Sequence, residues 1–170
     1  FSVESTKASE ISPSFFPFLL EVRKLLSKIS SAISPDSAAL LYRLINQKIA
    51  ECFLEIISST SFNCNGASQM LFDISSSLIP LLNSFYNDGL HNLKALDEPK
   101  FNGVITSLRL LSLPKAISLL LFDELKRIPN EMAPSVLAPH NICAMSRDNA
   151  LNLLKQRCDL NLETDLKITW

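Results

Sequence analysis

Hydrophobic residues recur every three or four positions along almost all of this chain, which is the period of an α-helix. In the first such segment the apolar residues between Phe15 and Ile33 fall on one stripe, opposite Glu21, Lys24 and Lys28. No stretch of four or more residues alternates between polar and apolar as a half-buried strand does. The pattern therefore predicts an all-α fold of about six helices packed as a bundle.

Prolines and polar breaks define the predicted boundaries. Ser34 is suited to cap the second helix, with Pro35 in the first turn, where the missing N–H costs nothing. Pro80 predicts a kink or a break in the third helix, because proline removes a backbone hydrogen bond. Three prolines predict a loop over 129–145, with Ser146 capping the last helix. The expected helices cover residues 14–33, 35–59, 66–82, 99–111, 115–128 and 147–158.

The second predicted helix has an unusually broad apolar face. Its central stripe runs from Leu41 to Ile56 and is widened on both sides by further apolar residues, namely Leu40, Leu44, Leu54 and Ile57. One neighbouring helix cannot cover a face of that width, so we expect this helix to have neighbours on more than one side.

Length and composition bound the architecture. The chain has 170 residues, of which 47% are hydrophobic and 19% charged, so it is too apolar to be disordered. The length fits one domain over 1–170, and the absence of an initiator Met predicts a piece of a longer protein.

The most apolar stretch, Phe101–Phe122, contains Arg109, Pro114 and Lys115, which are costly within a bilayer. We therefore expect no transmembrane helix.

Charge and glycine content argue against nucleic-acid and nucleotide binding. Sixteen basic and seventeen acidic residues give a net charge of −1, which provides no basic face for a phosphate backbone. The three glycines, Gly66, Gly89 and Gly103, are too scattered to form a phosphate-binding loop. No cofactor is expected.

Cysteine and histidine residues leave two catalytic or metal-binding alternatives open. The four cysteines form no Cys-x-x-Cys pair, and we expect reduced thiols in the cytosol because a chain of this size does not need disulfides. His140 could activate Cys64 or Cys158 as a nucleophile, or join Cys143 and both of them around zinc. Nothing in the sequence brings these residues together, and His91 also lies in a predicted loop. We therefore assign no catalytic and no metal-binding residue.

Acidic residues mostly point to structural roles. In the adjacent pairs Asp97–Glu98 and Asp123–Glu124, neighbouring side chains on a helix diverge by about 100°, so neither pair converges on one substrate atom. Asp97–Glu98 precedes Pro99 and is expected to stabilise a helix start. Asp73 follows apolar residues, so it either faces solvent or is buried and hydrogen-bonded.

Three aromatic residues stand at the start of the first helix. Phe15, Phe16 and Phe18 can pack in the core, but one turn can hardly bury all three rings on one side. The surplus predicts a contact surface for an upstream domain or for a partner.

The third helix carries the most specific sequence. It reads Asn65-Gly66-Ala67-Ser68-Gln69-Met70-Leu71-Phe72-Asp73, followed by Leu78-Ile79-Pro80-Leu81-Leu82. This stretch resembles the C-terminal region of the RINT/TIP family, in which Gly66, Gln69, Phe72, Asp73 and Pro80 match the family motif. A weaker resemblance spans residues 36–158 and includes Ala150, Leu151, Leu153, Leu154 and Arg157. Asn65 departs from the glycine of many members, and asparagine is the least harmful substitute if that position needs a positive φ.

The resemblance implies a non-catalytic subunit of the Dsl-type or NRZ-type complex, which tethers Golgi-derived vesicles at the endoplasmic reticulum (ER). It implies the C-terminal end of an elongated helical rod, partners among the other tether subunits and the N-terminal regions of ER SNAREs, and a cytoplasmic location, peripheral on the ER membrane. A subunit of another helical-rod tether, such as the exocyst or a Golgi complex, is the second hypothesis. A cysteine-dependent enzyme is the third.

Overall fold

Helices make up most of the chain in the computed structural model, which describes residues 10–89 and 99–162. Within these ranges the α-helices are α1 Phe16–Ala32, α2 Pro35–Ser59, α3 Cys64–Asp73, α4 Ile79–Gly89, α5 Pro99–Leu111, α6 Lys115–Arg127, α7 Ala133–Leu137 and α8 Arg147–Lys155. No strand forms there beyond one isolated parallel bridge between Phe62 and Arg157. The all-α prediction is confirmed.

The central helix of the described structure is α5, against which α2, α3 and α8 all pack. Val104, Leu108, Leu110 and Leu111 are each fully buried, so this helix is apolar on more than one side. A helix that is buried on several sides needs such an all-round apolar surface, since each neighbour removes a different stripe from water.

The two N-terminal helices match the predicted boundaries closely. The helix α2 begins at Pro35 and ends at Ser59, as expected, and Ser34 occupies the N-cap position with extended backbone angles. The Ser34 hydroxyl donates to the Ser37 hydroxyl at 3.1 Å and does not cap a backbone N–H. The sequence predicts the position of the N-cap correctly, but the expected hydrogen bond from a backbone N–H to the Ser34 side chain does not form.

The third helix begins two residues earlier than predicted, because its cap is Asn63. The Asn63 side-chain oxygen accepts a hydrogen bond from the Gly66 N–H at 2.7 Å, which satisfies one of the free donors in the first turn. Asn65 lies inside this helix, and the positive-φ residues of the described chain are Asn141 and Ala144. Asparagine at position 65 is therefore not needed for a left-handed backbone.

Pro80 does not end its helix, contrary to one of the two predicted outcomes. A π-helical turn over Ile74–Leu78 precedes it, in which the Ile79 N–H donates to the Ile74 carbonyl five residues back. This wider turn makes room for the proline ring N-terminal to Pro80, where an α-helical carbonyl would clash. The chain then continues as α4. The distortion therefore lies one turn before the proline.

The prediction of a loop over 129–145 is wrong for residues 130–140. Residues Asn130–Met132 form a 3₁₀ turn, followed by α7 and a second 3₁₀ turn at Ala138–His140. Pro134 and Pro139 each sit in the first turn of one of these elements, where proline lacks only an N–H that would have no partner. These prolines start short helical turns instead of preventing them.

The last helix, α8, is capped as predicted but ends at Lys155, short of Cys158. The Ser146 hydroxyl accepts from the Asn149 N–H at 3.3 Å. Beyond α8 the chain turns back onto the start of α3, where the Cys158 N–H donates to the Phe62 carbonyl at 3.0 Å.

A buried arginine holds this C-terminal turn in place. The Arg157 side chain is fully buried, and its guanidinium donates to both carboxylate oxygens of Asp159, at 2.9 and 2.6 Å. It also donates to the Ser118 hydroxyl at 2.6 Å and to the Leu113 carbonyl. One cation thus joins the corner between α5 and α6 to the residues after α8, with donors satisfied as a buried charge requires.

Membrane-span criteria identify no single helix among the described residues that is long and apolar enough to cross a bilayer. The helices α5 and α6 meet those criteria only as a pair, Phe101–Leu111 with Lys115–Arg127, which is bent by 109°.

Replacing the buried arginine should destabilise the protein strongly. Arg157→Ala leaves the Leu113 carbonyl, the Ser118 hydroxyl and the Asp159 carboxylate without their shared donor, so the free energy of unfolding should fall by about 3 kcal/mol. Urea unfolding followed by circular dichroism measures it. Lys155→Ala, an exposed cation two residues away, is the matched control and should change stability by less than about 0.5 kcal/mol. Equal effects of the two substitutions would contradict this role of Arg157.

The same ion pair predicts a pH dependence. Hydrogen bonds from Arg157 lower the pKa of Asp159, with smaller help from backbone N–H groups. A carboxyl whose folded pKa lies below its unfolded value of about 3.9 stabilises the fold above that value and loses this contribution as pH falls through the folded pKa. The stability difference between the wild type and Asp159→Asn should therefore be constant near neutral pH and shrink below about pH 4. A difference that persists unchanged in strong acid would refute the assignment.

Candidate interaction surface

The motif residue Asp73 is buried, with 3% of its surface exposed, and it accepts three hydrogen bonds. Its carboxylate receives the backbone N–H of Ser12 at 2.9 Å, the Ser12 hydroxyl at 2.6 Å and the Gln69 side-chain amide at 2.9 Å. Of the two sequence-based expectations for Asp73, the buried and hydrogen-bonded one is therefore right. Its partners show that it fastens the segment before α1 to α3.

Gln69 completes this fastening, which we call the Gln69–Asp73 clamp. The amide nitrogen of Gln69 donates both to Asp73 and to the Glu10 carbonyl at 2.9 Å. Because Gln69 and Asp73 are four residues apart, they lie on one face of α3 and hold two points of the same N-terminal segment. The clamp thus fixes the start of α1 relative to α3.

The remaining motif residues have simpler environments. A Cβ atom on Gly66 would lie 3.2 Å from the Asn63 side-chain oxygen, so glycine keeps the cap close to the first turn of α3. Phe72 is half-buried and Pro80 is exposed. The structure brings Gln69 and Asp73 together in one cluster and places Phe72 and Pro80 outside it.

The aromatic residues held by the clamp divide between core and surface. Phe15 is half-buried, with its ring centroid 5.4 Å from that of Phe18 and 6.3 Å from that of Phe53 on α2. Phe18 meets Phe53 edge to face at 5.9 Å and remains 37% exposed, whereas Phe16 is 53% exposed. The rings of Phe15, Phe18 and Phe53 border a shallow apolar groove of about 280 Å³.

The outer side of α2 exposes two leucines. Leu40 is 62% exposed and Leu44 is 55% exposed. Since they are four residues apart, they lie one turn from each other on the same side of the helix. By helical spacing this side is opposite the buried residues Tyr42, Asn46 and Phe53. We call Leu40 and Leu44 the outer stripe of α2; within the described chain no other element buries these two leucines.

The cysteine and histidine candidates are not brought together. The Cys64 thiol donates to the Ser112 carbonyl at 3.1 Å, and Cys143 and Cys158 are exposed free thiols. His140 ends a 3₁₀ turn, and no group of three potential metal ligands occurs among residues 10–89 and 99–162. Asp123 forms an ion pair with Arg127 at 2.7 Å. His91, Asp97 and Glu98 lie outside the described residues.

The structural roles of two residues, Asn63 and Ser12, were not predicted from the sequence. Asn63 carries a local signal, because asparagine is favoured at the N-cap directly before the first residue of a helix. Ser12 carries none, since its value depends on a contact with Asp73, 61 residues away.

The observed arrangement is that of a helical scaffold protein. Buried hydrogen-bond networks hold its segments together, and apolar residues are exposed on the outer sides of its helices. The sequence model of the RINT-1/TIP-1 family matches residues 1–157. The chain belongs to this family, a family of tethering proteins, and the match begins well before residue 36, where the resemblance was expected to start. No curated protein and no solved structure matches the chain.

Breaking the clamp should release the segment before α1 while leaving the helices folded. Asp73→Ala removes the acceptor of three hydrogen bonds, so the Ser12 amide should exchange with solvent much faster and stability should fall by about 2 kcal/mol. Hydrogen exchange read by mass spectrometry over residues 10–20 measures the first effect. Glu55→Ala, an exposed acid on α2, is the control and should leave exchange unchanged. Unaltered exchange at Ser12 in Asp73→Ala would show that the clamp does not hold this segment.

Proposed function

We propose that this chain is a non-catalytic protein-interaction module of a vesicle-tethering subunit that acts in Golgi-to-ER retrograde transport. The family match supports a tethering role in general. The finer assignment rests on the Dsl-type or NRZ-type resemblance together with the surfaces described above. On this proposal the protein is cytoplasmic and reaches the ER membrane through its partners, which are other tether subunits and the N-terminal region of an ER SNARE.

The observation that carries the proposal is the outer stripe of α2. Two leucines exposed by more than half and spaced by one turn are the anchors that a partner helix or groove would bury. Removing a leucine side chain from water is favourable by about 1.5–3 kcal/mol. A partner that covers both leucines would therefore gain binding free energy from each of them.

The exposed rings at the start of α1 offer a second contact of the same kind. Phe16 and Phe18 follow directly on the segment that the Gln69–Asp73 clamp holds. Because the clamp fixes that segment, the rings are presented in a defined orientation and little conformational entropy is lost when a partner covers them. We propose Phe15, Phe16 and Phe18 as part of the interface on this ground.

The rival hypotheses fit the chain less well. A subunit of the exocyst or of a Golgi tether would share the helical architecture, but the family match over residues 1–157 favours the RINT-1/TIP-1 assignment. For a cysteine-dependent enzyme, a thiol needs a nearby base to activate it. The Cys64 thiol instead donates to a carbonyl, and no hydrogen bond joins His140 to a cysteine within the described residues.

Substituting the outer stripe should abolish partner binding without unfolding the chain. The double variant Leu40→Glu with Leu44→Glu places two charges where a partner would bury apolar surface, and glutamate preserves helix propensity. Its affinity for the N-terminal domain of the ER SNARE, or for the tether subunit, that the wild type binds should fall at least about tenfold. Isothermal titration calorimetry measures the affinity, and circular dichroism confirms the fold.

The matched control is Leu120→Glu, which changes the leucine of α6 that is 64% exposed. It should bind like the wild type, since it replaces a leucine of similar exposure with a charged residue outside the outer stripe of α2. If the wild type binds none of the ER SNARE N-terminal domains and none of the other tether subunits, the proposed function is overturned. Equal loss in both variants would remove the outer stripe of α2 from the interface.

A further inference from the structure

A second concave surface lies between α2, α5, α8 and the segment before α8. It is a cleft of about 540 Å³, well within the range of ligand-binding sites. None of its lining residues is charged, although 19% of the whole chain is. This neutrality argues against anionic or cationic ligands, because ionised groups are recognised by opposite charges or by many oriented dipoles.

Side-chain amides supply the polar part of the lining. Asn149 and Asn152 lie on α8, and Gln156 directly follows it as the C-cap with helical backbone angles. The intervals of three and four residues place all three amides on the same side of the helix. Asn102 faces them from α5. Each amide group offers both donors and an acceptor, which is the hydrogen-bonding complement of a peptide group.

The spacing of these amides fits an extended chain. Asn152 and Gln156 are about 6 Å apart along the axis of α8, at 1.5 Å per residue. Peptide groups that point to the same side of an extended strand recur about every 6.6 Å, twice the rise per residue. A strand lying along α8 could therefore pair successive peptide groups with Asn152 and Gln156, while Asn149, about 4.5 Å from Asn152 along the axis, extends the row of amides.

Hydrogen-bonding capacity is left unused at this surface. Gln156 donates its amide N–H to the Ser58 carbonyl at 2.6 Å, while its side-chain oxygen is buried without a partner in the described structure. A buried acceptor without a donor is destabilising, and the N–H of a bound ligand would supply the missing donor to this oxygen. Asn149 and Asn152 are exposed, and their side-chain amides make no hydrogen bonds within the described structure.

The backbone beside the cleft is strained. Ala144 lines it with φ of 57°, a left-handed conformation that residues with a Cβ rarely adopt. Such strain is retained where the surrounding structure imposes it, and it clusters at ligand-binding sites. The neighbouring residue Cys143, an exposed thiol, also lines the cleft.

We propose that the cleft between α5 and α8 binds an uncharged polypeptide segment in extended conformation, whose peptide groups form hydrogen bonds with the side-chain amides of Asn149 and Asn152 and donate to the side-chain oxygen of Gln156. This site is separate from the outer stripe of α2, which is suited to an apolar helix side. The side-chain amides of the cleft bind the backbone of the ligand, and the apolar parts of the cleft wall accept its small uncharged side chains.

A phage-displayed library of random ten-residue peptides tests the proposal on the 170-residue chain. Peptides selected on the wild type should contain an uncharged run, and fluorescence polarisation should show at least fivefold weaker binding to the double variant Asn149→Ala with Asn152→Ala. Both residues are exposed and alanine favours the helix, so the fold is preserved. A selected peptide should also slow maleimide labelling of Cys143, which stands at the edge of the cleft.

Two controls separate this site from the proposed interface. Asn65→Ala removes an exposed helical asparagine away from the cleft and should leave peptide affinity unchanged. The double variant Leu40→Glu with Leu44→Glu should also bind the peptides normally, even if it loses its protein partner. If no peptide is enriched, or if the enriched peptides bind the Asn149 and Asn152 double variant as well as the wild type, the proposal fails. Peptides that depend on Leu40 and Leu44 would overturn it in the same way and leave the proposed function intact.

Discussion

The described structure depends on the burial of α5, because α2, α3 and α8 all pack against this helix. Its leucines and Val104 are removed from water almost completely, and such burial is the dominant favourable contribution to folding. Hydrophobic packing is non-directional, however, and by itself does not fix how segments at the ends of the bundle are placed. Two polar fastenings do so: the Gln69–Asp73 clamp at the N-terminal side, and the Arg157 network at the C-terminal side.

These two fastenings are alike in their chemistry. In each, a charged group is taken out of water and surrounded by partners from distant parts of the sequence, and both sets of partners include backbone groups outside regular helix. A buried charge of this kind is costly when a partner is missing, so an arrangement of the same helices that lost one of these partners would be penalised. The fastenings therefore select one placement of the terminal segments among the several that apolar packing alone would allow.

The sequence predicts the local features well and the long-range ones poorly. The limits of α2 follow from Pro35 and a regular apolar period, and the cap of α8 follows from Ser146, because these signals lie within a few residues of the structure they determine. The π-helical turn before Pro80 was not predicted, since a proline within a helix can be accommodated by a wider turn as well as by a break. The loop predicted over 129–145 is wrong because proline disrupts a helix in its interior but is favoured in its first turn.

At the candidate sites, the broad apolar face of α2 and the surplus of phenylalanines could be predicted from the sequence. The cleft between α5 and α8 could not, because its lining comes from segments some fifty residues apart that carry no shared motif.

The outer stripe of α2 and the cleft are joined by one rigid element. Leu44 belongs to the stripe, and Leu54, ten residues further along the same helix, lines the cleft, so the two surfaces are separated by about 15 Å of uninterrupted α-helix. A fixed separation of this size lets two segments of one partner, or of two partners, bind at the same time without competing for the same side chains. If both segments belong to one polypeptide, the second contact is intramolecular, and the overall affinity exceeds that of either surface alone.

The two surfaces also differ in chemistry, since the outer stripe of α2 buries apolar side chains and the cleft pairs peptide groups with side-chain amides. A partner must satisfy both requirements at the right spacing, which provides selectivity that an apolar helix side by itself would lack.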